Sequence, residues 1–317
     1  MQKENINKGV FISYKICKLI PDMRINIIIP AYNEEENIGK TLYSLINQTF
    51  PIHKIIIVND NSTDGTQKII DSFTTKFPNI VSVEQISSNK HLPGSKVINA
   101  FYKGFDLVDK SYDIICKLDA DLIFPLSYFE TIIKIFKQDA NVGMAGGFCH
   151  IKKNNKWILE TLTNKDHIRG ALKAYRKKCF MDIGGLKNTM GWDTVDELLA
   201  RYHGWSIATD ENLEVKHLKP TAVNYSKQAK YKQAEAFYKM RYGFLLFLIA
   251  TIKLAIKKKS FYFFKNSCIG YLKASINKVP FIVSVEEGNF IRSYRWKGIK
   301  KNYSIKRYQK SSITVRF

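Results

Sequence analysis

No two of the five cysteines form a CxxC pair, and their number is odd: Cys17, Cys116, Cys149, Cys179 and Cys268 are scattered along 317 residues. That scatter excludes a zinc knuckle or a disulfide framework and points to a reducing cytosol. The apolar segment "GFLLFLIATIKLAI", Gly243 to Ile256, is 14 residues with Lys253 inside. A membrane-spanning helix needs roughly 20 apolar residues, so this segment is too short to cross. The first 22 residues hold lysines throughout and lack the continuous apolar core of a secretory leader. Met23, directly before the first strong strand, offers a second start of translation. No internal repeat is present.

Acidic residues are scarce toward one end. The chain has 50 Lys and Arg against 28 Asp and Glu, a net charge of +22. From Lys216 to Phe317 there are 23 basic residues and three acids, Glu235, Glu286 and Glu287. The last third therefore faces something anionic, such as phospholipid, nucleic acid or a phosphate-bearing substrate. A solvated surface is the plain alternative. Hydrophobic residues make up 45%, enough for a full core in one large domain with appendages.

What is there alternates. "INIIIP" reads as a strand buried on both faces that stops at a turn. Apolar spacing through Ile38, Leu42 and Leu45 predicts a helix, with Glu34 to Glu36 at its start. "KIIIVNDNSTDGT" is a second buried strand running into turn residues, with a helix from about Thr66. "NIVSVEQI" is a third strand, "GSKVINAFYKGFDLV" a helix, and "YDIICKLDADLIF" a fourth strand. After a helix in "LSYFETIIKIFKQD" comes "VGMAGGF", a glycine-rich strand end. Residues 151–170 read as a flexible loop. "GALKAYRKK" then reads as helix, followed by a glycine turn and a helix from about Thr194 to His203. This order makes an α/β parallel sheet with right-handed crossovers.

Ligands of such sheets bind beyond the carboxyl ends of the strands. Three of these ends carry polar clusters: Tyr32-Asn33-Glu34, Asn59-Asp60-Asn61 and Asp119-Ala120-Asp121. Side chains two apart on an extended segment share a face, so Asp119 and Asp121 can point together. Their repulsion is removed by a divalent cation, and hard oxygen ligands suit Mg²⁺ or Mn²⁺.

"IIIPAYNEEENIGKTLYSLINQTF", "IIIVNDNSTDGT" and "LDAD" resemble the successive signatures of family 2 glycosyltransferases, in the family's order, over roughly residues 24–220. The resemblance implies a GT-A (Rossmann-like) fold, a mostly parallel sheet flanked by helices, here with a helical basic C-terminal extension. It divides the chain into an N-terminal extension (1–22), a catalytic domain (23–220) and a basic, partly amphipathic helical region (221–317). It implies inverting transfer of a sugar from a nucleoside diphosphate sugar, UDP favoured, to a saccharide or lipid-linked acceptor in bacterial surface polysaccharide or glycoconjugate synthesis. Pro30, Ala31, Tyr32 and Glu34 would line the nucleotide pocket, and Asp60 would contact the base. Lys96 would lie near the phosphates, Asp119 would face the ribose or sugar, and Asp121 would hold the metal with His217.

Inversion in one displacement needs one general base. The segment "GWDTVDELLARYHGW" supplies it, although Trp192 stands where family members carry Glu. Alignment on Gly204 selects Asp193, while helix phase selects Asp196. Asp193, Asp196 and Glu197 share one helix face, as first-turn acids also do. Trp192 and Trp205 are candidates for an acceptor floor or for core packing. In the tail, the short apolar helix, Lys257 to Lys259 and the aromatic "FYFFKNSCIGYLK" fit an in-plane anchor on an anionic membrane. The chain is thus expected on the inner face of the cell membrane, cytoplasmic and peripheral. "RSYRWKGIKKNYSIKRYQK" has a pattern that nucleic-acid binders also use, but no nucleic-acid motif accompanies it and lipid is favoured. The competing readings are a metal-dependent nucleotidyltransferase and a non-catalytic polyanion- or membrane-binding protein.

Overall fold

The computed structural model describes residues 23–87, 94–160, 166–219 and 227–313, with side chains in the last stretch from 231 to 301. The expected N-terminal extension and the end of the basic tail lie outside the described residues.

The first half follows the expected alternation: β1 (Ile25–Ala31), α1 (Ile38–Ile46), β2 (Lys54–Asp60), α2 (Thr66–Thr74), β3 (Ile80–Gln85), α3 (Ser95–Phe105) and β4 (Ile114–Leu118). β1 lies between β2 and β4, and β2 carries β3 on its far side, all in parallel register. The isoleucine runs of β1 and β2 are buried on both faces, as a sheet covered by helices requires. α3 packs closely on that sheet because Gly104 has no side chain. A Cβ there would lie 2.7 Å from Ile28 Cγ2 and 2.9 Å from Val58 Cγ2.

The expected fourth strand does not run through "LDADLIF". It stops at Leu118, and the chain leaves the ladder at Asp119-Ala120-Asp121 before resuming as β5 (Leu122–Ile123). β5 joins a different part of the sheet, antiparallel to the end of β9 (Ser206–His217). After α4 (Tyr128–Gln138) the expected loop at 151–170 is partly a hairpin. β6 (Val142–Lys153) turns into β7 (Lys156–Leu159) through Asn154 and Asn155, both at positive φ. A two-residue turn of this hand needs such φ values, and Asn tolerates them. Residues 161–165 lie outside the described residues.

"GALKAYRKK" is not a helix either. Leu172–Arg176 is β8, inserted antiparallel between β4 and β6. Leu172 to Tyr175 are all buried, so both faces of the strand are covered and helical spacing was the wrong period to read. α5 (Lys177–Asp182) follows, then α6 (Trp192–Tyr202), which starts two residues before the expected Thr194 behind Gly191 at φ 73°. The sheet order is β3-β2-β1-β4-β8-β6-β9-β5, with β7 on β6. The α/β sheet is therefore parallel in its first half and mixed in its second.

Beyond it lie α7 (Lys227–Lys239), α8 (Phe244–Lys257), α9 (Phe261–Ile276) and α10 (Val285–Ile313). α7 packs along α9, and α10 reaches back to α6 where Phe290 meets Tyr202 edge-on at 5.6 Å. Among the described residues no helix is long and apolar enough to cross a membrane.

The seat of α3 is testable. Gly104→Leu should destabilise the fold by about 1–3 kcal/mol through overpacking, and lower the thermal midpoint by several degrees. An unchanged melting curve would mean that α3 does not bear on Ile28 and Val58.

Candidate active site

A cleft of about 550 Å³ opens at the carboxyl ends of β1, β2 and β4. Pro30, Ala31, Tyr32 and Glu34 line it from β1 and the turn behind it, and Asp60 from β2. Lys96 on α3 and Asp119 and Asp121 from the break after β4 complete it. Two loops are stitched together to form its wall. The Asn33 amide donates to Ser62 Oγ at 3.0 Å, and Asn33 Oδ1 accepts from Thr63 N at 2.8 Å. Glu35 Oε2 accepts from the Gly65 amide at 2.7 Å. Asn33 and Asn61 sit in the left-handed region that lets each strand end turn sharply. Asp60 Oδ1 accepts from the Ser87 amide at 3.1 Å, which fixes its carboxylate at the cleft floor.

The acids after β4 meet a residue from far along the chain. Leu122 pairs with His217 in the β5–β9 register, and the Leu218 amide donates to the Asp121 carbonyl at 2.9 Å. His217 Nε2 thereby faces Asp121 Oδ2 at 3.4 Å. Ligand atoms of Asp119, Asp121 and His217 all lie within 4.8 Å of one another. Two carboxylates and one imidazole at that spacing fit a small divalent cation of the Mn²⁺ or Mg²⁺ kind. The other ring nitrogen, His217 Nδ1, faces Glu160 Oε2 at 3.3 Å, and Glu160 is itself paired with Arg169. Glu34, beside Asp121, pairs with Lys219 at 2.7 Å. Burial raises the Glu34 pKa, and its bonds to Lys219 and Asn37 only partly offset this.

A second cleft, of about 410 Å³, adjoins the first and shares Asp119 and Asp121 with it. Asp193, Trp192, Arg169 and His217 line it. Asp193 stands in the first turn of α6 with 31% of its side chain open and its Oδ2 3.7 Å from His167 Nε2. Burial alone would raise its pKa, but the contact with His167 and the Lys173 charge outweigh that and hold Asp193 at about 2. It is a carboxylate throughout the neutral range.

Asp196 is placed differently. It is 1% exposed, and its carboxylate accepts from Lys173 Nζ at 2.8 and 3.0 Å and from the Tyr175 hydroxyl at 2.5 Å. Burial pushes its pKa up to about 6 against the Lys173 charge. Helix phase put Asp196 on the Asp193 face, but the face that reaches the cleft ends at the first turn. The remainder turns into the core, so Asp196 cannot meet an acceptor in this arrangement.

Several residues escaped sequence reasoning. Lys117 on β4 and Lys173 on β8 are directly opposite in the antiparallel register and are 2% and 0% exposed. Lys117 pairs with Asp119, and Lys173 with Asp196, Glu197 at 3.2 Å and the Asp193 carbonyl. Their ammonium groups lie 5.4 and 5.8 Å from the Trp192 ring centroid. Trp192 is therefore buried core on one side and cleft wall on the other. Trp205 lines neither cleft, and its indole N–H donates to Asp182 at 3.0 Å. A lysine flanked by apolar strand residues, as in "ICKLD" and "ALKAY", was the available signal. His167, Glu160 and Arg169 fall in a stretch without periodicity and gave none.

Comparison with known proteins adds three findings. The family profile described as glycosyl transferase family 2 matches residues 26–187. Glycosyltransferase MG025 of Mycoplasma genitalium, uncharacterised, is 29% identical over 178 residues, covering 52% of this chain and 57% of its own. The poly(ribitol-phosphate) beta-glucosyltransferase of Bacillus spizizenii is 41% identical over 75 residues, 23% of this chain and 12% of its own. The chain thus spans well under two thirds of these relatives. Two solved structures share the fold at a TM-score of 0.54 each. One is S. aureus TarS in complex with UDP-GlcNAc, 16% identical over 72% of this chain and 66% of its own. The other is mannosyltransferase PcManGT of Pyrobaculum calidifontis in complex with GDP-Man and Mn²⁺, 15% identical over 89% of this chain and 82% of its own.

The His167 contacts carry a pH signature. Burial opposes its charge, but hydrogen bonds to Asp193 and Glu197 (the latter at 3.0 Å) dominate and raise its pKa from 6.5 to about 9. A raised pKa contributes stability that is complete below the ordinary value and lost as pH climbs through the folded one. The stability difference between the wild type and His167→Gln should therefore be greatest below pH 6.5 and shrink through about 9. Urea denaturation across that range measures it, and a difference independent of pH would rule out the charged pairing.

Proposed function

The chain belongs to glycosyl transferase family 2, and from that premise we propose that it is an inverting, metal-dependent enzyme moving a sugar from a nucleoside diphosphate sugar to an acceptor hydroxyl. The observation that carries this reading is the meeting of Asp121 with His217 at the edge shared by the two clefts. One cleft suits the donor and the other suits the acceptor.

On the donor side, Pro30, Ala31 and Tyr32 would flank the nucleotide, and the fixed Asp60 carboxylate would accept hydrogen bonds from the base. Asp119 would face the ribose or sugar hydroxyls, and Lys96 and Lys219 are within reach of the diphosphate end of the cleft. Asp121 and His217, with Asp119 beside them, would hold Mn²⁺ or Mg²⁺. A divalent cation there supplies positive charge against the charge that builds on the departing diphosphate. Glu160 would orient His217 by fixing its Nδ1, so that Nε2 remains free to coordinate.

On the acceptor side, Asp193 would take the proton of the attacking hydroxyl. The acceptor oxygen bonds to the anomeric carbon as the bond from that carbon to the phosphate oxygen breaks. The electron pair leaves with the nucleoside diphosphate. Attack from the face opposite the leaving group inverts the centre. An ionised base, fixed by His167 and backed by the α6 amino end, stands ready without a prior proton loss. Of the acids that line the second cleft, Asp119 and Asp121 would be taken up at the metal, which leaves Asp193 to the acceptor.

A UDP-sugar is the favoured donor, and a saccharide or lipid-linked glycan of a bacterial surface or another glycoconjugate the favoured acceptor. The support for a nucleotide sugar is the family itself and the UDP-GlcNAc and GDP-Man bound by proteins of the same fold, UDP being favoured by the family's habit, and the bacterial relatives support the acceptor class. Work on the inner face of the cell membrane accords with the basic last third of the chain.

A thermal-shift panel of nucleotides with Mn²⁺ tests the reading, with a nucleoside diphosphate expected to raise the midpoint. A ligand at 100 times its dissociation constant adds about 2.7 kcal/mol. Release of pyrophosphate in place of nucleoside diphosphate would indicate nucleotidyl transfer. Asp193→Asn should lower turnover about 10²- to 10⁴-fold with donor affinity unchanged, and near-normal turnover would move the base elsewhere. Glu160→Ala should weaken Mn²⁺ binding about 10- to 100-fold, read by Mn²⁺ electron paramagnetic resonance without donor. Unaltered affinity would mean that Glu160 does not position His217 for the metal.

A further inference from the structure

The basic helices past the sheet carry a face that the catalytic reading does not use. Between Glu235 and Glu286 there is no acidic residue, while nine lysines and arginines occur. α8 lies within this stretch. Its inner side, with Leu246, Phe247 and Thr251, is buried, and Phe247 stacks on Tyr271 of α9 at 4.2 Å. Positions 245, 252 and 256 fall on the opposite side at helical spacing. Leu245, Ile252 and Ile256 are all exposed there, Ile256 at 71%. The turn into α9 adds Phe261, 79% exposed, directly after Lys257 to Lys259. An aliphatic stripe thus runs beside cations and ends in an exposed aromatic.

We propose that this face of α8, with Phe261 at its end, lies in the plane of an anionic lipid bilayer, its aliphatic stripe among the acyl chains and its lysines at the headgroups. Three observations select this occupant. The stripe is aliphatic, which suits acyl chains and offers nothing to bases or a phosphate backbone. The charge along α8 and the turn into α9 is of one sign, which attracts anionic headgroups. A second copy of the chain would bring the same cations together without one acid to pair them. α8 is also too short to cross, which leaves an in-plane position. The inference extends the membrane location proposed above and does not depend on the sugar-transfer chemistry. α10 links the two parts, since it contacts both α8 and the catalytic helix α6.

The full chain is mixed with vesicles of phosphatidylcholine alone or with ~30 mol% phosphatidylglycerol, and the bound fraction is read by sedimentation. At least tenfold tighter binding to the anionic vesicles is expected, weakening as salt is raised. The double variant Ile252→Asp/Ile256→Asp should lose at least tenfold of that binding with its thermal midpoint and nucleotide binding kept. Lys257→Ser/Lys258→Ser/Lys259→Ser, which leaves the stripe intact, should abolish most of the preference for phosphatidylglycerol. Equal binding of wild type and both variants would overturn the proposal. So would a concentration-dependent dimer that the aspartates dissolve while no vesicle binds. Nucleotide binding measured in the same samples keeps failure here distinct from failure of the glycosyltransferase reading.

Discussion

Two buried lysines face each other across the β4–β8 ladder, and the layout of acids around the clefts follows from their need for partners. Like charges directly opposite on a sheet destabilise it, and an ammonium out of water costs several kcal/mol more unless it is paired. Lys117 meets this with Asp119, and Lys173 with Asp196 and Glu197. Burial lowers the Lys173 pKa, but the Asp196 and Glu197 charges more than compensate and leave it raised. Trp192 lays its ring near both ammonium groups. The acids of α6 thus divide by partner. Asp196 is consumed by the core, Glu197 bridges Lys173 to His167, and Asp193 is the one of the three that lines the second cleft.

A second constraint is topological. Asp121 and His217 share no local sequence, and the short strand β5 brings them together. Its two residues leave the β4 ladder and pair with the last two of β9, so that the residue after the acid pair lies opposite the histidine. That arrangement is a long-range contact of the kind that forms late and at high entropic cost. Its return is a cluster in which the imidazole is fixed from both sides, by Asp121 at one nitrogen and Glu160 at the other. Arg169 then anchors Glu160, and the chain of partners ends on a residue of the second cleft.

How much was legible follows from the range of each interaction. β1 and β2 announced themselves because three and four consecutive aliphatic residues bury both faces, and the turns after them rest on local chemistry, with Asn33 and Asn61 at positive φ. The donor-side residues gather in one cleft for that reason. The break after Leu118 was hidden, because the apolar residues on either side of "DAD" look like one strand while belonging to two ladders. β8 was hidden because a strand buried on both faces, with a lysine inside it, has no alternation to read. The choice between Asp193 and Asp196 depended on which part of α6 faces inward, and the Lys173 and Tyr175 side chains on β8 decide that.

The pairing pattern also bears on how a charged donor enters. Four carboxylates at or beside the clefts already face a cation of their own chain: Asp119 with Lys117, Glu34 with Lys219, Glu160 with Arg169, and Asp193 with His167. On the proposed reading, a dianionic diphosphate arriving with a divalent cation would add no net charge to this set. Partners could then be exchanged without leaving a charge unmatched in a partly dry cleft, where an unmatched charge is most costly. Lys219 is the most exposed of these cations at its side chain, and its ammonium sits at the rim beside Glu34. It can turn from that carboxylate to a phosphate oxygen with little loss of solvation. Lys117, 2% exposed, has no such freedom, and its charge would hold Asp119 in place during that exchange.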